Sequence, residues 1–355
     1  MKRIFAFLLV LVVAGISAAS VVGDANLRTA VINRLNIDNN YPDIDPNDLT
    51  RPVASDMNRP SFTSLDANSL GISNLTGLQY ATNLTTLYLC NNNLSDLSLL
   101  SGLKKMQYLR LWQNLNLANL SPLADMNNLL SFWAHDCNVA DINVVSKFIK
   151  LQSLHLGYNV ISDINALSGL TSLTYLNLNN NNISDINSLE DLTKLKYLYL
   201  SYNENIRDIN AVEDMNSLAE LGLTDVNLSD ISPLADVNQI KYLWLGYNQI
   251  EDINALTGDA NLVTLNLSYN PLSFESWCVH LKTIINNKPS ANIFSNVLLN
   301  DRFTDVNDMQ IFASKWLRQD CSLADGDCGG ADFGEDGNVG FYDFAIFAEW
   351  WMYNK

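Results

Sequence analysis

Two clusters of side chains could do chemistry. His135, Asp136 and His155 put two imidazoles and a carboxylate in one stretch, the groups used to move protons or hold a borderline metal. Further on, DFGEDGNVGFYD (Asp332 to Asp343) arranges oxygen donors around a glycine bend. A hard cation needs such donors at set steps: Asp332 at position 1, Asp336 at 5, the Asn338 carbonyl at 7 and Asp343 at 12, with Gly337 at the sharp turn. One calcium is expected there. Between the clusters, Cys321 and Cys328 flank a short gap and suit a disulfide in an oxidising compartment. The third histidine is His280, and there is no GxSxG, HExxH or glycine-rich phosphate loop. The expectation is a protein that is not an enzyme.

What positions these groups is a repeat. The stretch LQSLHLGYNVISDINAL begins at Leu151, LTYLNLNNNNISDINSL at Leu173, and YLWLGYNQIEDINAL at Tyr242. Copies start at Phe62, Leu84, Met106, Leu129, Leu151, Leu173, Leu195, Leu218, Ile240 and Leu262, at steps of 22 or 23. A fixed period of this size means stacked coils, each burying its leucines against the next. Within a copy the LxLx segment alternates, so a short strand turns Leu243 and Leu245 inward and Tyr242, Trp244 and Gly246 outward. An asparagine follows at the turn: Asn92, Asn114, Asn159, Asn181, Asn203, Asn248 and Asn270. Its amide can donate and accept at once, as buried backbone groups require. Leu70, Cys137 and Val226 take its place in three copies. The inward setting of Cys137 keeps it from joining the outward His135 as a metal ligand. Later aspartates (Asp163, Asp185, Asp208, Asp230, Asp252) are expected to cap helical turns on the outer side.

The pattern LxxLxLxxNxIxDIxxLxxL resembles the bacterial leucine-rich repeats of the internalin type, over about 200 residues. The resemblance implies an α/β solenoid: a horseshoe with a parallel concave sheet and short helical convex turns. The amphipathic segment Asp24 to Leu35 is similar to the helical N-terminal cap of such proteins, and Phe274 to Asn287 reads as the closing helix. The organisation expected is a signal peptide over 1–19, a cap over 20–61, ten repeats over 62–273, a capping helix over 274–295 and a C-terminal module over 296–355.

Alternation also assigns the large rings. Tyr88, Tyr108, Trp112, Trp133, His155, Tyr175, Tyr197, Tyr199, Tyr242 and Trp244 are expected to point outward from the strands, with Tyr158, Tyr202, Tyr247 and Tyr269 one step later. Stacked rings can stabilise neighbouring strands by about 0.2–1 kcal/mol per pair. A whole face of Tyr and Trp matches binding surfaces better. A protein ligand is the first expectation and a glycan the second.

The ends of the chain carry the remaining expectations. Met1-Lys2-Arg3, an apolar run from Ile4 to Ala14 and Ser17-Ala18-Ala19 form a secretory signal. The run falls short of the ~20 residues of a spanning helix, so the protein is expected to be secreted or at the cell surface and not membrane-spanning. A net charge of −17, from 38 acidic and 21 basic side chains, argues against nucleic acid. In the last segment IFASKW (Ile311 to Trp316) recurs as IFAEWW (Ile346 to Trp351). Two such loop–helix units resemble a dockerin-like module of EF-hand type, all-α, which implies a scaffold or cell-surface partner and, as an alternative role, a non-catalytic place in a polysaccharide-degradation assembly. Gly334 stands where that family carries a position-3 ligand, and Val297, Leu299 and Arg302 spoil the first loop. Cys90 and Cys137, two coils and about 10 Å apart, are expected to be unpaired, with Cys90 the more reachable.

Isothermal titration of residues 296–355 should therefore give one calcium per chain, with a dissociation constant of about 10⁻⁴–10⁻³ M. Asp336→Ala should abolish it and Asp301→Ala should leave it unchanged. Two equal sites would show that the first loop is intact after all.

Overall fold

The computed structural model describes residues 21–37, 44–45, 47–48, 52–259, 261–273 and 276–294. The segment 1–19, the calcium loop, Cys321, Cys328 and the rest of 296–355 lie outside them. The chain divides into two compact units, Met1–Asn181 and Asn182–Lys355.

The first unit opens with helix α1, Ala25–Leu35. Asp24 begins it, its Oδ1 accepting the N–H groups of Asn26 and Leu27 at 3.0 Å each, which satisfies donors that the first turn cannot pair internally. Leu27, Val31, Ile32 and Leu35 are buried, and α1 packs against the first strand, covering the end of the array. A short helix α2, Ala54–Met57, follows. It carries a feature that sequence reading missed: the Arg59–Asp56 ion pair, 3.0 Å, buried under the cap.

Six strands then run in order through this unit: β1 Ser64–Asp66, β2 Thr86–Tyr88, β3 Tyr108–Arg110, β4 Ser131–Trp133, β5 Ser153–His155 and β6 Tyr175–Asn177. Each pairs in parallel with the next, at equivalent repeat positions. The second unit continues with β7 Tyr197–Tyr199, β8 Glu220–Gly222, β9 Tyr242–Trp244 and β10 Thr264–Asn266, again parallel and in register. Leu65 and Ala67 fill the two inward positions in the first coil and Phe132 and Ala134 in the fourth, and elsewhere paired leucines, such as Leu154 and Leu156 or Leu243 and Leu245, are fully buried. Each leucine contributes about 1.5–3 kcal/mol.

The asparagine ladder ties one coil to the next. Asn159 Nδ2 donates to Leu156 O of its own coil and to Ala134 O of the coil before, both at 2.9 Å, while its Oδ1 accepts Val139 N–H at 2.9 Å. In the second unit Asn248 donates to Leu223 O (2.6 Å) and Leu245 O (3.0 Å) and accepts from Leu228 N (3.0 Å) and Val226 N (3.2 Å). Where Cys137 replaces the amide, its thiol reaches the equivalent carbonyls, Leu111 O and His135 O, at 3.5 and 3.6 Å.

Three details differ from the sequence reading. The outer turns are 3₁₀ helices, and each aspartate stands one residue before the N-cap. Asp163, for instance, accepts the N–H of Asn165 at 2.8 Å while Ile164 holds the cap position. The segment after the last repeat is not helix alone. A π-helical turn, Ser276–His280, leads into α3, Leu281–Asn287, and the chain then adds an eleventh strand, β11 Asn292–Phe294, parallel to β10. The leucine rhythm had faded there, so no repeat marked it.

The third difference is a row of left-handed residues. The residue before each ladder position has positive φ in every coil, among them Asn91 (52°), Asp136 (54°), Tyr158 (55°), Tyr202 (61°) and Tyr247 (58°). The chain must swing out of the strand and bring the next side chain inside, which a right-handed residue cannot do here. Asn and Asp accept this conformation readily; tyrosine does so against its preference.

Replacing Asn248 with Ala leaves at least two buried carbonyls and two buried N–H groups without their partner. Urea denaturation should show a loss of about 2–4 kcal/mol. A change below about 0.5 kcal/mol would mean that water replaces the amide.

Candidate ligand-binding face

Strand positions 3 and 5 of each coil, and position 7 just beyond, face away from the core. All ten outward residues expected from the sequence stand at these positions and are half-buried or exposed, Tyr108 and Tyr197 being the most open. The structure groups them differently in the two units.

In the first unit the position-5 row reads Tyr88, Arg110, Trp133, His155. The Arg110 guanidinium lies between two rings, 4.6 Å from the Tyr88 centroid and 4.5 Å from that of Trp133. Trp133 meets His155 edge-on at 5.7 Å and donates its Nε1–H to Ser153 Oγ at 3.2 Å. A second row crosses behind it: Trp112 stacks on His135 (5.3 Å, 13°), and His135 stacks on His155 (4.0 Å, 17°). Gly157 makes the close packing of His155 feasible, since a Cβ there would come within 3.3 Å of His155 Nε2 and 3.0 Å of Asn177 Oδ1. Tyr175 closes the group edge-on to His155 at 6.4 Å.

The histidines thus come together, as their spacing suggested, but as a stack. Imidazole lone pairs lie in the ring plane, so two parallel rings cannot aim them at one ion. Among the described residues no group of three or more His, Cys, Asp or Glu is arranged to hold a metal. Burial pushes the His155 pKa down to about 3, with the neighbouring His135 acting in the same direction. Burial also lowers that of His135, against the opposing pull of Asp136. Both rings are neutral near pH 7 and serve as flat, weakly polar surface.

In the second unit Trp244 is the hub. It stacks on Tyr242 (6.1 Å, 14°) and leans toward Tyr199 (6.3 Å, 40°), whose hydroxyl donates to Glu220 Oε2 at 2.5 Å. Beside these strands Tyr247 and Tyr269 stack at 4.2 Å, both at left-handed turn positions. Sequence reasoning put these rings at the edge of the face but missed the backbone that throws them outward. The recurrent Asn and Asp at the same step were the available signal.

The cysteine expectation needs a correction. Cys90 and Cys137 are free, but Cys90 is the inaccessible one, at 1% exposure, with its thiol pKa raised to about 12 by burial. Small residues at position 7 sink between the neighbouring coils. Cys137 at the ladder position is partly open, its thiol raised to about 11, again by burial.

Comparison with known proteins agrees with this geometry. The family described as leucine rich repeats (2 copies) matches residues 82–125 and 171–214, and leucine rich repeat matches 140–183. A crystal structure of an internalin from Listeria monocytogenes is similar over 78% of this chain and 83% of its own, with 29% identity and a TM-score of 0.64. Internalin C2 from the same organism is similar over 68% and 92%, with 27% identity and a TM-score of 0.52. The leucine-rich-repeat ectodomain of an Arabidopsis thaliana membrane receptor kinase, solved in complex with Casparian strip integrity factor 2, shares the fold at 24% identity and a TM-score of 0.53, over 59% of this chain and 27% of that one. No curated protein matches by sequence. These similarities agree on a leucine-rich-repeat solenoid of internalin-like form.

The buried histidines give a pH signature. Folding holds His155 neutral, so its contribution is complete above the unfolded value of about 6.5 and is lost as pH falls toward 3, because the unfolded chain then binds the extra proton. Unfolding stability should decline between pH 6 and 4, and less steeply in His155→Phe. An NMR titration placing folded His155 near 6.5 would contradict this burial.

Proposed function

On an internalin-like leucine-rich-repeat solenoid, we propose that the strand face is a binding surface for a protein ligand met outside the cytoplasm. One observation carries the reading: tyrosine, tryptophan and histidine rings crowd the outward strand positions while the core behind them is already filled by Leu, Ile, Val, Met and Phe. Rings that only propped up strands would not need half-exposed settings such as Tyr108 and Tyr197, or left-handed ones such as Tyr247. Large aromatics give contact area at little conformational cost, which is why they dominate energetic hot spots. The Arabidopsis ectodomain, solved with its bound factor, shares the fold and nothing more specific.

A glycan would use the same rings by stacking, and a glycan array is its test. Export is supported by the pattern of residues 1–19. Among the described residues no helix is long and apolar enough to cross a membrane. The loop Asp332 to Asp343 adds a proposed calcium-dependent attachment module, supported by its ligand spacing alone.

The test is capture of proteins from an extracellular fraction by the full chain and by the double variant Tyr199→Ala/Trp244→Ala. The variant should keep its far-UV circular dichroism and lose the captured partner, since each anchor can contribute about 2 kcal/mol or more. Undiminished capture would move the binding surface off this face.

A further inference from the structure

Position 5 of the repeat carries the same pair of rings twice. In the first unit Tyr88 and Trp133 stand on β2 and β4, and the strand between them supplies Arg110, whose guanidinium lies over both rings. In the second unit Tyr199 and Trp244 stand on β7 and β9 in the same relation, and the strand between supplies Gly222. The two sets are tyrosine, arginine, tryptophan and tyrosine, glycine, tryptophan. Glycine brings no side chain, and the rings incline toward each other, 6.3 Å between centroids.

The surroundings suit a cation. Glu220 lies two residues before Gly222 and pairs across the strands with Tyr197 and Tyr242. It is the single charged residue among the outward strand positions of β7 to β10. Asp225 follows at the turn of the same coil. The nearest cations by sequence, Lys196 and Lys241, stand one residue ahead of β7 and β9 and are exposed.

From this internal template we infer that the Tyr199–Gly222–Trp244 position takes a guanidinium from a partner, an exposed arginine of a basic protein segment, paired by Glu220. The inference rests on the protein-ligand reading of the strand face and names the chemistry that ligand presents. Arginine fits better than lysine because a planar fork lies flat between ring faces and meets a carboxylate with two N–H groups. A carboxylate that already accepts one hydroxyl has lone pairs left for that fork. The rings must part to admit the group, exchanging their mutual contact for two cation–π contacts of the kind Arg110 makes.

Calorimetry with the full chain and an end-blocked tri-arginine peptide tests this, with tri-lysine and tri-citrulline as comparators. Tri-arginine should bind, tri-lysine several-fold more weakly and tri-citrulline not detectably. Trp244→Ala and Glu220→Gln should each weaken tri-arginine by about tenfold or more with unchanged circular dichroism. Glu190→Gln, an exposed acid away from these strands, should have no effect. Gly222→Arg, whose Cβ must push aside the Tyr199 ring and Ser201 Oγ, each 3.2 Å away, should block the peptide by supplying the guanidinium internally. Equal binding of tri-arginine and tri-lysine, indifferent to Trp244→Ala, would show attraction to overall negative charge and overturn the inference. Absence of tri-arginine binding at millimolar concentration would overturn it too, and the strand-face reading would still stand if Tyr199→Ala/Trp244→Ala loses a captured protein.

Discussion

Everything in this molecule depends on how the backbone is satisfied where each coil leaves its strand. A coil of about 22 residues must bend inside a dry leucine core, and there its N–H and C=O groups are out of reach of water. In seven of the ten coils a primary amide solves this by donating and accepting at once, as Asn159 and Asn248 do, and in a coil without it the Cys137 thiol takes over part of the role. To bring that amide inside, the preceding residue must be left-handed. The same swing throws the side chain of the preceding residue outward, so the interior solution determines which side chains are displayed.

That coupling explains what could be read in the sequence. The strands, the inward leucines, the ladder and the outward direction of Tyr88 or Trp244 all follow from a two-residue alternation inside a fixed period. Features outside the period were not legible. The Arg59–Asp56 pair under the cap, the π-turn at Ser276–His280 and strand β11 have no repeated neighbours to reveal them. Nor did alternation show which rings meet. His135 and His155 stack directly, and Gly157 leaves room beside the His155 ring, where a Cβ would come within 3.3 Å of its Nε2.

The two units use one position differently. Arg110 is held in the first unit by contacts to its own neighbours, which fixes the local surface. In the second unit the rings contact each other and Glu220 keeps a Tyr199 hydroxyl, an arrangement that can be exchanged for other contacts. Repeat proteins vary single outward residues without disturbing the core, because each coil's stability comes from its interior and its interfaces with adjacent coils.

The ladder bonds also share one sequence separation. Each runs either within a coil or between residues 20 to 26 apart, as from Leu228 to Asn248 or from Cys137 to Leu111. Within each unit such long-range backbone links as Leu111 to Trp133 and Leu245 to Asn266 span the same interval. A chain wired in this way closes only short loops, whose entropy is small and nearly constant. Once any coil is in place, its exposed edge offers a template for its neighbour, so folding of such an array can nucleate at any coil and propagate. The α1 cap closes one such edge: with Leu27, Val31, Ile32 and Leu35 buried against the first strand, no further copy of the repeat can be added there, so the array has a definite beginning.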